Sequence, residues 1–252
     1  MSHPKSVDMT DLRGIGRVIV SPNSTELTTE PSDTKREHHL NTILDKRISM
    51  TSPVLRPATE YVFIVATAAW VVPELLDSIR RRDRPIQHRN TRGPNLDAKS
   101  VYGIYVAVYC SGLVGWIFMF TAPSWAGFGS FTVPLFWAGI LLMCTGIALR
   151  WYAVILLGDS FTRSVTVSDD QAVVETGPYA VVRHPTYTGI LLTIVGYEFC
   201  LGTWLAVFVA LVVNLVAFGY RIRVEEHALR EELDGYADYC KRTPYRLVPY
   251  VF

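Results

Sequence analysis

Two short clusters hold most of the side chains in this sequence that could do chemistry. The first runs Gly177-Pro178-Tyr179 and then Arg183-His184-Pro185-Thr186-Tyr187-Thr188-Gly189. Its prolines and glycines impose an irregular backbone. The N–H and C=O groups of such a backbone must find partners, and a polar ligand can be one of them. A rigid interfacial loop, with Tyr179 and Tyr187 as aromatic anchors and Arg183 on headgroups, is the other use of the same residues. The second cluster, Arg221-Ile222-Arg223-Val224-Glu225-Glu226, reads as the opening of a helix that continues through Leu229, Leu233 and Tyr236, which give it an apolar face. Arg221 and Glu225 stand one helical turn apart, and Glu226 with Arg230 repeats the spacing. On a water-exposed helix such pairs contribute roughly a few tenths of a kcal/mol each. Here they fall where an apolar stretch meets water, a place where charges tend to be used.

The elements that must position these clusters are hydrophobic. Half of the 252 residues are apolar and 19% are charged, with a mean hydropathy of +0.22. From Val101 to Leu149 there is no Asp, Glu, Lys or Arg, a run too long for an element of a soluble core. That excludes a disordered chain and a secreted disulfide scaffold. With 24 basic and 23 acidic residues there is no overall basic excess, so nucleic acid is not an expected partner. Cys110, Cys144, Cys200 and Cys240 are scattered, without a CxxC pair or a cluster with histidine. They read as packing residues, and no metal is expected.

Membrane spans are expected over about Glu60–Ile79, Val101–Thr121 and Phe131–Leu157, the first interrupted by Pro73, Glu74 and Asp77. Each is close to the ~20 residues that a bilayer core requires. The stretch from Thr188 to Tyr220, with Glu198 as its sole charged residue, is long for one span and short for two. A break at Leu201-Gly202-Thr203 makes it a hairpin of two short, tilted helices and returns the second cluster to the side of the first. Glu198 is then either an intramembrane acid or a residue reaching water near the external end, beside Gly202. Arg80, Arg81, Arg82, Arg84, Arg89, Arg92 and Lys99 place the first loop in the cytoplasm, because the next loop, Ala122–Ser130, carries no charge. Residues Gly158–Tyr187 then face the cytoplasm too. The expected fold class is all-α, a polytopic membrane protein of about five transmembrane helices, the last two as a hairpin, with a cytoplasmic C-terminal helix. Residues 1–58 read as a disordered tail without signal-peptide or transit-peptide character. Residues 59–138 read as N-terminal transmembrane helices and 139–252 as the core that carries both clusters. Gly14-Ile15-Gly16 lacks the preceding strand and the third glycine of a dinucleotide loop.

Taken together, Ala148-Leu149-Arg150-Trp151, Leu157-Gly158-Asp159-Ser160-Phe161-Thr162, Gly177-Pro178-Tyr179, the run Arg183 to Gly189, Arg221 to Glu226, and the closing Tyr236, Tyr239, Arg242, Thr243, Leu247 and Pro249 resemble the isoprenylcysteine carboxyl methyltransferase family. The resemblance covers roughly Gly139 to Phe252, and its specific part is RHPxYxG joined to a later RxxxEE. It implies S-adenosylmethionine bound between the cytoplasmic loop and the C-terminal helix, with a lipophilic substrate entering from the bilayer through a gap between spans. Carried over residue by residue, the cofactor side would be Thr166, Gln171, Ala172, Val173, Val174, Tyr179, His184, Pro185, Thr186, Tyr187 and Glu225, with Glu226 a near alternative to Glu225. Arg221 would face the substrate carboxylate. Phospholipid N-methyltransferases have similar elements, so the resemblance bears on the reaction more than on the acceptor.

These residue types suit methyl transfer. A sulfonium donor is already activated and a carboxylate acceptor is ionised at neutral pH, so neither a metal nor a strong base is needed. What remains is to exclude water and hold the reacting atoms in line. Arg221 can place a carboxylate with a two-pronged hydrogen bond, Glu225 can hold polar groups of the cofactor, and His184 suits hydrogen-bond donation more than proton abstraction. The acceptor's chain is expected against apolar walls such as Trp116, Phe118, Phe136 and Trp137. The expected function is methyl transfer to a lipophilic acceptor, foremost the carboxylate of a prenylated cysteine, in the endoplasmic reticulum of a eukaryote or the plasma membrane of a bacterium. The alternatives are methylation of a phospholipid amine or of a small thiol or phenol and, in another class, a sterol-reductase-like protein using a nicotinamide cofactor or a non-enzymatic membrane protein.

Overall fold

The structure, a computed structural model, describes residues 38, 53–82, 96–158 and 172–251. The chain divides into Met1–Ser49, of which His38 alone is described, and Met50–Phe252, to which everything below refers. The described residues of this unit form α1 Pro57–Arg82, α2 Leu96–Thr121, α3 Thr132–Leu157, α4 Pro185–Leu201, α5 Trp204–Glu232 and α6 Tyr236–Arg242, with short 3-10 turns between some of them and no strand. Among the described residues four stretches are long and apolar enough to cross a membrane, Pro57–Leu76, Ser100–Thr121, Gly129–Leu157 and Trp204–Glu232. The remaining apolar helix, α4, has 17 residues, about 25 Å of rise and the short limit for a bilayer core. The all-helical polytopic fold expected from the sequence is the one observed.

The hairpin turns at the residues that the sequence singles out. Leu201 ends α4, and Gly202 adopts a left-handed backbone with φ of 89°, which suits a residue without Cβ. Thr203 caps α5 by accepting a hydrogen bond from the Ala206 N–H at 3.3 Å. The Phe128 N–H, in the uncharged loop between α2 and α3, donates to the Gly202 carbonyl at 3.2 Å and ties that loop to the turn.

Two expectations need correction. The second arm of the hairpin is not short, because α5 runs unbroken for 29 residues from Trp204 to Glu232. The C-terminal helix expected to open at Arg221 is therefore the continuation of the last span; no proline interrupts it, and an Arg221–Glu225 pair at 3.5 Å bridges the junction. Nor do Leu233 and Tyr236 extend its apolar face. Leu233 caps α5, and Gly235, with φ of 82°, turns the chain before the separate helix α6.

Two glycine pairs let α3 and α4 approach closely. Gly139 faces Gly196 and Gly146 faces Gly189, so that a Cβ on Gly196 would lie 2.5 Å from the Gly139 carbonyl oxygen and one on Gly189 2.6 Å from that of Gly146. In a bilayer, burial of apolar surface does not drive helices together, and close backbone contact between small residues supplies the attraction instead. On the other side of the bundle α2 lies against α5, where Asn214 Nδ2 donates to Ser111 Oγ at 3.0 Å. The acid that interrupts α1, Glu74, accepts two hydrogen bonds from Arg150 of α3, that from Nη2 at 2.8 Å. This pairing makes a carboxylate tolerable inside an apolar helix.

Replacing Gly196 by leucine should force α3 and α4 apart. Overpacking of this kind costs about 1–3 kcal/mol, so thermal unfolding in detergent is expected to shift down by several degrees. An unchanged midpoint would mean that the two backbones do not touch there.

Candidate active site

The first cluster folds around the start of α4. Pro185 occupies the first helical position, where its missing N–H leaves no bond unmade, and it holds His184 outside the helical conformation. The Arg183 and His184 N–H groups then donate to the Tyr245 and Arg246 carbonyls at 2.9 Å each, and Thr188 Oγ1 donates to the Leu247 carbonyl at 2.7 Å. The segment after α6 is thereby fixed against the N-terminus of α4.

Glu226 of α5 binds these pieces together. Arg183 Nε donates to its Oε1 at 2.8 Å, His184 Nε2 lies 3.3 Å from the same oxygen, and Arg246 Nε is shared between both oxygens at 3.2 Å. Arg230, one turn further on, is 3.9 Å away and largely exposed. Arg183 also reaches the Thr243 carbonyl through Nη1 at 3.0 Å. Glu226 is 4% exposed and Arg183 8%, so this is a buried ionic network and not a surface pair.

The adjacent carboxylate has different surroundings. Tyr187 donates its hydroxyl to Glu225 Oε2 at 2.7 Å, Arg221 Nε lies 3.5 Å from that oxygen, and His184 Nδ1 lies 3.9 Å from Oε1. Glu225 nevertheless keeps 24% of its side-chain surface exposed and lines a cavity. The geometry separates the two neighbours: Glu226 is consumed by the structure, while Glu225 is accessible. Arg221, itself buried, donates through Nη1 to Ser100 Oγ of α2 at 2.7 Å and through Nε to the Tyr187 hydroxyl at 3.3 Å. The Tyr187 ring stacks between His184 and Phe218, with centroids at 5.7 and 5.5 Å.

The cavity has a volume of about 400 Å³. One end is polar, lined by Tyr179, His184, Tyr187, Arg221, Glu225 and Tyr236; the other passes between α1, α2 and α4, against Trp70, Val108, Trp116, Ile190 and Ile194. Burial, followed by the charge of Glu225, raises the Tyr179 phenol above its ordinary pKa, and burial followed by Glu226 does the same to Tyr236. Both remain protonated and able to donate. The Tyr236 hydroxyl is buried without a hydrogen-bond partner among the described residues. Among those residues no group of three or more His, Cys, Asp or Glu is placed to hold a metal ion.

Of the residues singled out by sequence, Ala172, Val173, Val174, Tyr179, His184, Thr186, Tyr187, Arg221 and Glu225 all line this one cavity. Pro185 is buried and shapes the turn without lining it, and Thr166 and Gln171 lie outside the described residues. Among the four expected apolar walls Trp116 alone lines the cavity; Phe136 is in the core and Trp137 is exposed on the outer surface. From Val101 to Leu149 no charge marks which face of α2 or α3 meets a cavity, so the sequence does not separate these four walls. Sequence reasoning also passed over Ser100 and Arg246, which hold Arg221 and Glu226, and Tyr236 as a cavity residue. Only Tyr236 carried a signal, as part of the C-terminal family motif.

Fold and side chains together define an integral membrane protein whose arginine- and carboxylate-bearing pocket continues into an apolar channel between its helices. A model of the isoprenylcysteine carboxyl methyltransferase (ICMT) family matches residues 139–231, and the resemblance read from the motifs is borne out over that stretch. Protein-S-isoprenylcysteine O-methyltransferase B of Arabidopsis thaliana is 33% identical over 109 residues, 42% of this chain and 55% of that protein. A Delta(14)-sterol reductase of Mus musculus is 32% identical over 83 residues, 30% of this chain and 19% of the reductase. A solved structure of the eukaryotic intramembrane Ras methyltransferase ICMT aligns over 58% of this chain and 52% of its own, at 25% identity and a TM-score of 0.49. The chain spans about half the length of the methyltransferases it matches.

Removing one partner of a buried ionic network leaves the others uncompensated, at a cost of about 3–5 kcal/mol. Glu226→Ala is accordingly expected to lose most of the protein's resistance to denaturant, and Glu226→Gln somewhat less. If Glu226→Ala unfolds within about 0.5 kcal/mol of wild type, as a surface substitution would, Glu226 does not hold the site together.

Proposed function

We propose that this protein is an integral membrane methyltransferase that uses S-adenosylmethionine to methylate the C-terminal carboxylate of an isoprenylated cysteine, at a site facing the cytoplasm. One observation carries the reading. A single cavity is charged where His184, Tyr187, Arg221 and Glu225 meet and is lined mainly by apolar side chains, among them Trp70, Val108, Trp116, Ile190 and Ile194, where it passes between α1, α2 and α4. A polar donor and a chain drawn from the bilayer can therefore meet out of water. The Arg-rich segment that follows α1 supports the cytoplasmic side.

The residues fit the donor. Tyr236 presents a buried hydroxyl with no partner among the described residues, and Glu225 a carboxylate that remains partly open. With Tyr179, His184, Tyr187 and the Ala172 to Val174 backbone they would hold its cationic and hydrogen-bonding groups. When bound, it supplies an electrophilic methyl carbon on a sulfonium. Arg221 orients the acceptor's carboxylate; Ser100 and Tyr187 fix the guanidinium at Nη1 and Nε, so little freedom is lost when the acceptor docks. Stacking between His184 and Phe218 keeps the Tyr187 hydroxyl in place between Arg221 and Glu225. The apolar walls keep water from the reacting atoms, which strengthens each of these interactions. A carboxylate is ionised at neutral pH, so no residue has to take a proton.

The sterol reductase match favours a second reading, a nicotinamide-dependent reduction, but it covers 19% of that protein. A phospholipid amine acceptor would make less use of Arg221. The reaction is tested by reconstituting the protein in vesicles with radiolabelled donor and offering a farnesylated cysteine, phosphatidylethanolamine and a simple thiol. Label is expected on the farnesylated cysteine as a base-labile ester. Arg221→Ala is expected to lower kcat/KM for it by about 10- to 100-fold, the loss of a hydrogen bond to a charged group. Label on the phospholipid instead, or undiminished turnover by Arg221→Ala, would rule out the carboxylate acceptor.

A further inference from the structure

Methyl transfer makes no use of Glu198. This residue of α4 is completely buried, and it stands eleven positions beyond Tyr187, ~16 Å along the helix at 1.5 Å per residue. Its carboxyl sits in the notch that Gly115 leaves on α2, where a Cβ at position 115 would collide with it. Neither carboxyl oxygen has a hydrogen-bond partner among the described residues. Glu198 nonetheless lines the same cavity as Arg221 and Glu225. Two more polar groups line it, one from α1 and one from α4 itself. Thr67 of α1 has a buried hydroxyl that is also without a partner among the described residues, and the Tyr197 hydroxyl accepts from Trp116 Nε1 at 2.7 Å. Buried polar groups left unpaired are costly, most of all in hydrocarbon. A purely hydrocarbon tail has no use for them.

We propose that this end of the cavity is a second polar subsite, which selects acceptors whose apolar chain carries a hydrogen-bonding group, a hydroxyl or an amine, at its far end. The inference rests on the cavity being the acceptor's site, as proposed above. Glu198 accepts a hydrogen bond from the chain's terminal group, and Thr67 and Tyr197 complete its surroundings. A site built to pair a polar group discriminates strongly, because the unsubstituted analogue leaves the protein's own buried groups unpaired. Arg221 thus fixes the reacting end of the acceptor, and Glu198 measures its length and tests its tip.

The test compares acceptors that differ only at the far end of the chain: a farnesylated cysteine and its terminally hydroxylated and aminated analogues, with the full-length wild-type protein in vesicles. One or both polar-ended acceptors are expected to show a kcat/KM at least about tenfold above the unsubstituted one, as in sites that hydrogen-bond their substrate. Glu198→Leu should abolish that preference while retaining turnover of the unsubstituted acceptor, and Glu198→Gln should reduce it. Equal kcat/KM for all three acceptors in wild type would overturn the proposal. An equal loss on every acceptor in Glu198→Leu would also overturn it, since that is the mark of a merely structural role. Thermal stabilisation by the corresponding chain alcohols without cysteine provides a readout independent of methylation. A chain with hydroxyls at both ends should stabilise wild type more than one with a single hydroxyl, and Glu198→Leu should remove the difference. If this holds while no carboxyl methylation is found, the subsite stands and the proposed reaction falls; equal stabilisation by the two chains would contradict the subsite itself.

Discussion

Glu226 accepts hydrogen bonds from Arg183 and Arg246 with His184 beside it, and in doing so joins α5, the turn before α4 and the segment after α6. The arrangement depends on what each partner contributes besides charge. Arg183 also ties back to the Thr243 carbonyl, and the His184 and Arg183 N–H groups are held by Arg246 and Tyr245. A carboxylate this deeply buried is stable only if every lone pair is answered, so the chain before α4 and the chain end cannot shift independently of α5. Because Glu226 is spent in this way, Glu225 beside it is left to face the cavity, with Tyr187 and Arg221 setting its position.

The bundle makes the cavity by packing tightly on one side and loosely on the other. Glycine pairs bring α3 and α4 into backbone contact, while α1 and α2 meet α4 through larger side chains such as Trp70, Trp116 and Tyr197. Space remains between those larger groups, and it is continuous with the polar pocket. Arg150 and Glu74, which also line the cavity, neutralise each other across α3 and α1. Among the described residues here, Glu74 and Arg150 are thus paired with each other, while Glu198 lines the cavity.

Much of this was legible in the sequence because it was encoded locally. The uncharged run and the Leu201-Gly202-Thr203 break are properties of consecutive residues, and the structure bears both out; the helix start at Pro185, three residues before the expected Thr188, follows from proline's fixed φ. His184, Tyr187, Arg221 and Glu225 of the RHPxYxG and RxxxEE elements, which the family resemblance joins, line one cavity. What was missed is relational. Whether α5 stops at Arg221 or runs on is decided by the absence of any breaking residue, which is a weak signal. The choice between Glu225 and Glu226 depends on Arg246, twenty residues away, which sequence spacing does not connect to either. Gly139 with Gly146 and Gly189 with Gly196 repeat at seven-residue spacing, a local sign of small-residue helix contact. The cavity-facing side of α2 is not legible, because its membrane-crossing part, Val101–Thr121, carries no charge to mark a polar face.

The pocket beside Glu225 is proposed to receive a sulfonium methyl donor. Isothermal calorimetry of the full-length protein in detergent with S-adenosylhomocysteine tests it without knowledge of the acceptor. Saturable binding is predicted, weakened about tenfold or more by Glu225→Ala through loss of hydrogen bonds to a charged group and unaffected by NADPH. Saturable binding of NADPH with no heat from S-adenosylhomocysteine would contradict the account.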